Sequence, residues 1–148
     1  MRRQAWEGSI SYGEVRILVT GSRVWADVPS VNQAFDELEI EDGAVVTVVH
    51  GSAQGLDSIA DEQARLRGWY AEAWLPNWNQ YGKLAGPVRN QGMVDSDPLV
   101  CLGFPLVVHS WSGTMDCMCR AYVAKIPVFC RGSRWEPEAW MLDRMVKL

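Results

Sequence analysis

Short apolar runs alternate along the chain with segments whose apolar residues recur every three or four positions. The runs are typical of strands buried on both faces, and the periodic segments predict amphipathic helices. The predicted strands cover residues 16–20, 45–50, 70–75, 99–104 and 126–130. The predicted helices run from a cap at Asp27 or Ser30 to Leu38, over 56–64, 87–95 and 112–125, and onward from Trp135.

Strand and helix therefore alternate about five times. This alternation predicts an α/β fold, a single-domain Rossmann-like three-layer sandwich with a mostly parallel sheet of about five or more strands. Residues 1–14 are polar and carry no periodic pattern, so we interpret them as an N-terminal extension. Residues 15–148 form the predicted Rossmann-type domain.

Three glycine-containing turns are expected at one edge of this sheet, because the carboxyl ends of parallel strands meet there and bind ligands. Each turn leads towards a helix with free N–H groups, and serine and threonine hydroxyls add further donors. Such groups suit a phosphate. The candidate ligand-binding residues in these turns are Gly21, Ser22, Arg23, Gly51, Ser52, Asp57, Ser112, Gly113 and Thr114.

The stretch 82–90 adds two cations, Lys83 and Arg89, next to two glycines and Pro87. Glycine lets a backbone approach a ligand closely, and proline is favoured in the first turn of a helix. We predict that Lys83, Arg89 and Asn90 contact an anionic group, most plausibly a phosphate. The alternative is a helix N-terminus with ordinary surface cations.

Candidates for acid–base chemistry are few. Asp57 stands near a helix start, where a carboxylate is often a cap. Asp116 and Arg120 are four residues apart and can pair on a helix surface. His50 is better explained as a structural histidine. The chain contains neither a G-x-G-x-x-G fingerprint, a Walker A loop, a Ser-His-Asp set nor metal-ligand spacing, so we expect no metal and no cofactor.

Composition narrows the class of protein further. The net charge of −4 and the pI near 5.1 argue against broad binding of DNA or RNA. The four cysteines form no Cys-x-x-Cys pair, no signal peptide is visible, and the apolar runs are too short to span a bilayer. We therefore expect a cytoplasmic protein with reduced core cysteines and no membrane partner.

Four motifs follow one another along the chain: RILVTGSR at 16–23, VVHGSAQGLD at 48–57, GKLAGPVRN at 82–90 and SGT at 112–114. In this order they resemble the YspA/YpsA-related branch of the SLOG superfamily. This Rossmann-like superfamily binds nucleotides and nucleotide-derived ligands, and it includes the Lonely Guy phosphoribohydrolases and DprA. The resemblance implies that the first two turns contact a nucleotide, that Gly113 and Thr114 hold phosphate, and that Arg89 matches the catalytic arginine of the phosphoribohydrolases.

Two departures from the superfamily pattern bear on activity. Phosphoribohydrolases carry P-G-G-x-G-T-x-x-E, whose glutamate works on the glycosidic bond, whereas this chain has Cys117 at the glutamate position. Asp116 is adjacent, and we name it with Arg89 as the catalytic candidates. Asp57 is the other nearby carboxylate that could take the part of the glutamate. Ser52 and Gln54 stand where the superfamily usually has glycine and arginine in the second turn.

We therefore predict a protein that binds a nucleoside phosphate or an NAD- or ADP-ribose-type compound, as a sensor or a sequestering protein. The first alternative is a phosphoribohydrolase that cleaves the N-glycosidic bond of a nucleoside 5′-monophosphate. The second is DprA-like binding of single-stranded DNA, which the acidic pI disfavours. The resemblance and the tryptophan and methionine content also allow a homodimer, in which the last helix packs against a partner.

Overall fold

Five parallel strands and one short antiparallel strand form a single sheet in the computed structural model, which describes residues 13–148. The strands are β1 (Glu14–Gly21), β2 (Val45–His50), β3 (Tyr70–Ala73), β4 (Val100–Phe104), β5 (Val128–Cys130) and β6 (Ser133–Arg134). Their order is β3-β2-β1-β4-β5-β6, and only the pairing of β5 with β6 is antiparallel. The strand order reverses between β1 and β4, which places a ligand-binding crevice at their carboxyl ends.

In residues 13–148, six helices connect these strands or follow them. They are α1 (Val28–Glu37), α2 (Leu56–Leu66), α3 (Trp78–Tyr81), α4 (Ala85–Asp95), α5 (Gly113–Val123) and α6 (Ala139–Arg144), and a 3-10 turn over Gly82–Leu84 joins α3 to α4. Of the two caps predicted for α1, Asp27 is the N-cap, and its Oδ1 accepts a hydrogen bond from the Ser30 amide at 3.2 Å.

Two hydrophobic clusters pack on opposite faces of the sheet. Ile17 of β1 belongs to the cluster that contains Phe35 of α1 and Leu56 of α2. Leu18, the next residue along β1, belongs to the cluster that contains Met118 of α5. Successive strand residues point to opposite faces, so an apolar run buries both faces at once. The predicted α/β, Rossmann-like three-layer sandwich with a mostly parallel sheet is confirmed.

Several predicted boundaries differ from the structure. β3 ends at Ala73 rather than Leu75, since the Trp74 amide makes a last bond to the His50 carbonyl and Pro76 has no amide hydrogen. The last helix begins at Ala139 rather than near Trp135. The two-residue β6 and the four-residue α3 were not predicted, because elements this short carry no readable period.

The four cysteines are all free, and only Cys130 is not fully buried. Within residues 13–148, each helix is too short or too polar to cross a bilayer. The predicted extension 1–14 lies outside the described residues except for its last two, of which Glu14 opens β1.

Candidate functional site

A cavity of about 430 Å³ opens where the carboxyl ends of β1, β2 and β4 meet. Its lining comes from residues within 20–23, 51–57, 89–93 and 105–114. This volume is within the range of about 300–1,000 Å³ that is usual for small-molecule sites. The cavity therefore occupies the crevice that the strand order creates.

Ten of the twelve predicted ligand-binding residues line this cavity. They are Gly21, Ser22, Arg23, Gly51, Asp57, Arg89, Asn90, Ser112, Gly113 and Thr114. Ser52 and Lys83 do not line it: both are exposed, and Lys83 lies in the 3-10 turn that precedes α4. Asp116, a catalytic candidate, is buried in α5 and is also outside the lining.

The Arg89 side chain is held by carbonyl groups from two turns. Its Nη1 donates to the Gly51 carbonyl at 2.5 Å and to the Trp74 carbonyl at 3.4 Å, and its Nε donates to Asn90 Oδ1 at 2.9 Å. A Cβ atom at position 51 would lie 2.5 Å from Nη1, so this arrangement requires glycine. Burial lowers the pKa of Arg89, and nearby Asp57 opposes that shift. Among the described residues, Nη2 has no partner and is available to a ligand.

His50 stabilises the turn after β2. This buried histidine contacts Asp61 Oδ2 through Nε2 at 2.6 Å, and its Nδ1 accepts from the Ser52 amide at 3.0 Å. Because Nδ1 accepts, Nε2 carries the proton and donates to Asp61. His50 is thus a structural histidine, as the sequence indicated. It fixes the turn whose Gly51 carbonyl receives Arg89.

Asp57 lies in the first turn of α2, and its side chain bonds to the turn after β2 instead of capping the helix. Its Oδ2 accepts from the amides of Gly51 at 3.1 Å and Ala53 at 3.2 Å, while Gly55 is the helix N-cap. Asp57 is 5% exposed, and its Oδ1 has no hydrogen-bond partner in the part of the chain that is described. Burial raises the pKa of Asp57, against the opposing effect of the Ala53 amide, His50 and Arg89.

This raised pKa predicts a pH dependence of stability. Since the folded state holds the Asp57 proton more tightly than the unfolded state does, the contribution of Asp57 to stability falls as pH rises from the ordinary pKa of an aspartate to the higher pKa of the folded state. Asp57→Asn does not titrate there, so its free energy of unfolding relative to the wild type should increase as the pH rises above the ordinary pKa of an aspartate. Urea denaturation at several pH values measures this, and a difference that decreases with pH would contradict it.

The N-terminus of α5 forms the other wall. Ser112 caps this helix, with its hydroxyl accepting from the Met115 amide at 3.2 Å. Among the described residues, the amides of Gly113 and Thr114 have no hydrogen-bond partner, and both residues line the cavity. A helix N-terminus carries a partial positive charge. With the exposed Arg23 across the cavity, these groups make an environment suited to an anion.

The pairing of Asp116 with Arg120 is confirmed, but the predicted surface position is wrong. Both residues are under 5% exposed, with Arg120 Nε 2.9 Å from Asp116 Oδ2. The pair is buried because α4 packs along this side of α5 and the C-terminal segment covers Arg120. Asp116 Oδ2 also accepts from Asn90 Nδ2 at 2.9 Å.

Sequence reasoning predicted the end of the fourth strand at Phe104 but named no cavity residue in the loop over residues 105–111. β4 does end at Phe104, and Leu106, Val107 and Trp111 of this loop line the cavity. The Arg131 guanidinium donates to the carbonyls of Pro105 and Leu106 and holds the loop there. Pro105 was the available signal, since proline lacks the donor that a central strand needs.

Carboxylate and other metal-binding side chains are few around the cavity in the described part of the chain. Residues 13–148 contain no group of three or more His, Cys, Asp or Glu side chains that could hold a metal ion. The position of the superfamily's glutamate is Cys117, which is fully buried. Asp57 is the one carboxylate in the described lining of the cavity.

Comparisons with known proteins agree with this architecture. The model of YAcAr, described as the YspA, cpYpsA-related SLOG family, matches residues 15–81, which include the first two turns. The Gene 61 protein of Mycobacterium phage D29 is 43% identical over 125 residues, which cover 80% of this chain and 98% of that protein. No solved structure matches the chain significantly. The chain belongs to the YspA, cpYpsA-related SLOG family.

Proposed function

We propose that the cavity binds a nucleoside phosphate or an NAD- or ADP-ribose-type compound, and that the protein senses or sequesters this ligand. The observation that carries the proposal is the convergence of Arg23, Arg89 and the α5 N-terminus on one cavity at the switch point of the sheet. Charge-assisted hydrogen bonds from such donors are about twice as strong as neutral ones. A phosphate is the group that uses all of them.

The remaining lining suits the uncharged part of a nucleotide. Leu106 and Val107 are at least half exposed on the loop over the cavity, and Trp111 lies on the same lining. Apolar side chains of this kind cover a base or a ribose, while a few polar groups fix its orientation. The Asp57 carboxylate is the acceptor on this lining that could receive a ligand hydroxyl or N–H group.

Native mass spectrometry of gently purified protein, followed by identification of any released molecule, tests this function. We expect one nucleoside phosphate or dinucleotide per chain, and we expect Gly51→Val to release it because the new side chain displaces Arg89. A retained molecule that lacks both a phosphate and a nucleoside would contradict the proposal. The thermal midpoint of Gly51→Val reports whether the variant is folded.

A second candidate, cleavage of a nucleoside 5′-monophosphate, is favoured by one observation. Asp57 combines a place on the lining with a raised pKa, and a carboxylic acid with a raised pKa is suited to proton transfer. In this mechanism Asp57 takes the part of the missing glutamate and Arg89 contacts the substrate. Water would add at the anomeric carbon as the free base leaves, with the proton passing to the base.

Base release from AMP, followed by chromatography, separates the two functions. Hydrolysis requires free adenine in amounts that exceed the enzyme and that fall at least about 100-fold in Asp57→Asn, as expected for loss of a general acid–base group. Stoichiometric binding of AMP without adenine release would reject hydrolysis and leave binding in place.

A further inference from the structure

A continuous chain of hydrogen bonds leads from the cavity into the interior. Arg89 donates to Asn90, Asn90 donates to Asp116, and Asp116 accepts from Arg120. We propose that the buried Asp116–Arg120 pair positions Arg89 for its ligand by fixing the orientation of the Asn90 amide. This inference rests on the proposed function, and it makes Asp116 a positioning residue.

The Asn90 amide can serve Arg89 in only one orientation. Its Oδ1 must face Arg89 Nε, which is a donor, so its Nδ2 must face an acceptor. Asp116 Oδ2 at 2.9 Å and the Gly113 carbonyl at 3.3 Å are those acceptors. An ionised carboxylate cannot donate, so Asp116 excludes the flipped amide. A flipped amide would present its NH₂ group to Arg89 and break that bond.

Arg120 holds Asp116 in turn. The Arg120 guanidinium donates two hydrogen bonds to the Asp116 carboxylate, from Nε to Oδ2 at 2.9 Å and from Nη2 to Oδ1 at 3.1 Å. Its other contacts are to Gln91 Oε1 at 3.2 Å and to the Val146 carbonyl at 2.7 Å. Arg120 is therefore anchored on three sides and cannot follow Asp116 to another position.

Burial makes this arrangement rigid. Asn90, Asp116 and Arg120 are each under 5% exposed, so water competes poorly for their hydrogen bonds. A buried ion pair is by itself weak evidence for stability, since apolar residues of similar volume often replace it without loss. The orientation of Arg89 gives this pair a specific role that an apolar replacement could not supply.

The double variant Asp116→Leu/Arg120→Met tests this role without leaving an unpaired buried charge. In the ligand-free protein, we expect a slowly exchanging Nε–H signal of Arg89 in ¹⁵N NMR spectra of the wild type, assigned by its absence in Arg89→Ala. The double variant should lose this signal while its thermal midpoint stays close to that of the wild type. Gln91→Ala, which removes one partner of Arg120 but leaves Asn90 and Asp116 in place, should retain it.

Calorimetric titration with AMP and with ADP-ribose adds the functional readout. The double variant should bind the better probe about tenfold more weakly than the wild type. In an Arg89→Ala background the same two substitutions should change the affinity less than about twofold, because the residue that they position is gone. Equal losses in both backgrounds would mean a general structural role and would overturn the inference.

The two readouts separate failure of the inference from failure of the proposed function. An unchanged Arg89 Nε–H signal in the double variant overturns the positioning role whether or not a nucleotide binds. Loss of the signal in the double variant, together with a wild-type protein that binds neither probe, supports the positioning role and counts against the proposed function. If the double variant does not fold, Asn90→Ala removes the residue that links Arg89 to Asp116 by hydrogen bonds. Retention of the Arg89 Nε–H signal in Asn90→Ala overturns the inference.

Discussion

Replacing Arg89 with alanine should weaken nucleotide binding by roughly 10- to 100-fold. The guanidinium reaches the cavity with Nη2 free among the described residues, so a bound phosphate gains a hydrogen bond from a charged donor. Such a bond contributes about 1.5–3 kcal/mol. Stability should change much less, because burial already disfavours the charged form of Arg89 and its removal relieves that cost.

Titration calorimetry with AMP and ADP-ribose measures this loss against two matched variants. Lys147→Ala removes one positive charge from an exposed position outside the cavity and should bind within about twofold of the wild type. Arg89→Lys keeps the charge but loses the fork that contacts Gly51 and Asn90 together, so its affinity should be intermediate. Equal weakening by Lys147→Ala and Arg89→Ala would show that only overall charge matters.

Replacing Gly55 with alanine should lower the free energy of unfolding by about 2–5 kcal/mol and should abolish ligand binding. Gly55 has φ of 67°, and a Cβ atom there would lie 2.4 Å from the backbone of Arg23. Backbone atoms cannot move aside as a flexible side chain does. The bond from the Leu56 amide to the Ser22 carbonyl would stretch, and the first two turns would separate.

Gly43→Ala is the control for this prediction. Gly43 also has a positive φ, 89°, but nothing lies within 4 Å of an added Cβ. Gly43→Ala should therefore lower the free energy of unfolding only by the cost of a positive φ at alanine, about 1–2 kcal/mol, and should leave ligand binding unchanged. Urea denaturation measures the loss in free energy of unfolding for each variant. The difference between the two losses is the contribution of the close approach of the two turns. Equal losses in the two variants would mean that the approach contributes nothing.

Local pattern predicted the fold because the longer strands and helices can each be identified from a few consecutive residues. The apolar run at 45–50 and the helical spacing of Val31 and Phe35 required no knowledge of distant contacts. The turns followed from the same reasoning, since the carboxyl ends of parallel strands share an edge. This is why most of the predicted ligand-binding residues line one cavity.

The parts that could not be predicted depend on contacts between distant segments. Whether Asp116 and Arg120 are exposed is decided by α4 and by residues near the C-terminus, 26 positions beyond Arg120. Lys83 and Arg89 share one cationic stretch, yet the 3-10 turn places only Arg89 at the cavity. The role of the 105–111 loop depends on Arg131, which follows a later strand.

The central claim is that the cavity beside Arg89 binds a nucleotide-type ligand. Titration calorimetry of the wild type with AMP, ADP-ribose and NAD, each repeated with Gly51→Val, tests it most directly. We expect at least one compound to bind one per chain with a dissociation constant below about 100 μM, and Gly51→Val to lose that binding. Absence of binding by all three compounds, or binding that Gly51→Val leaves intact, would contradict the account.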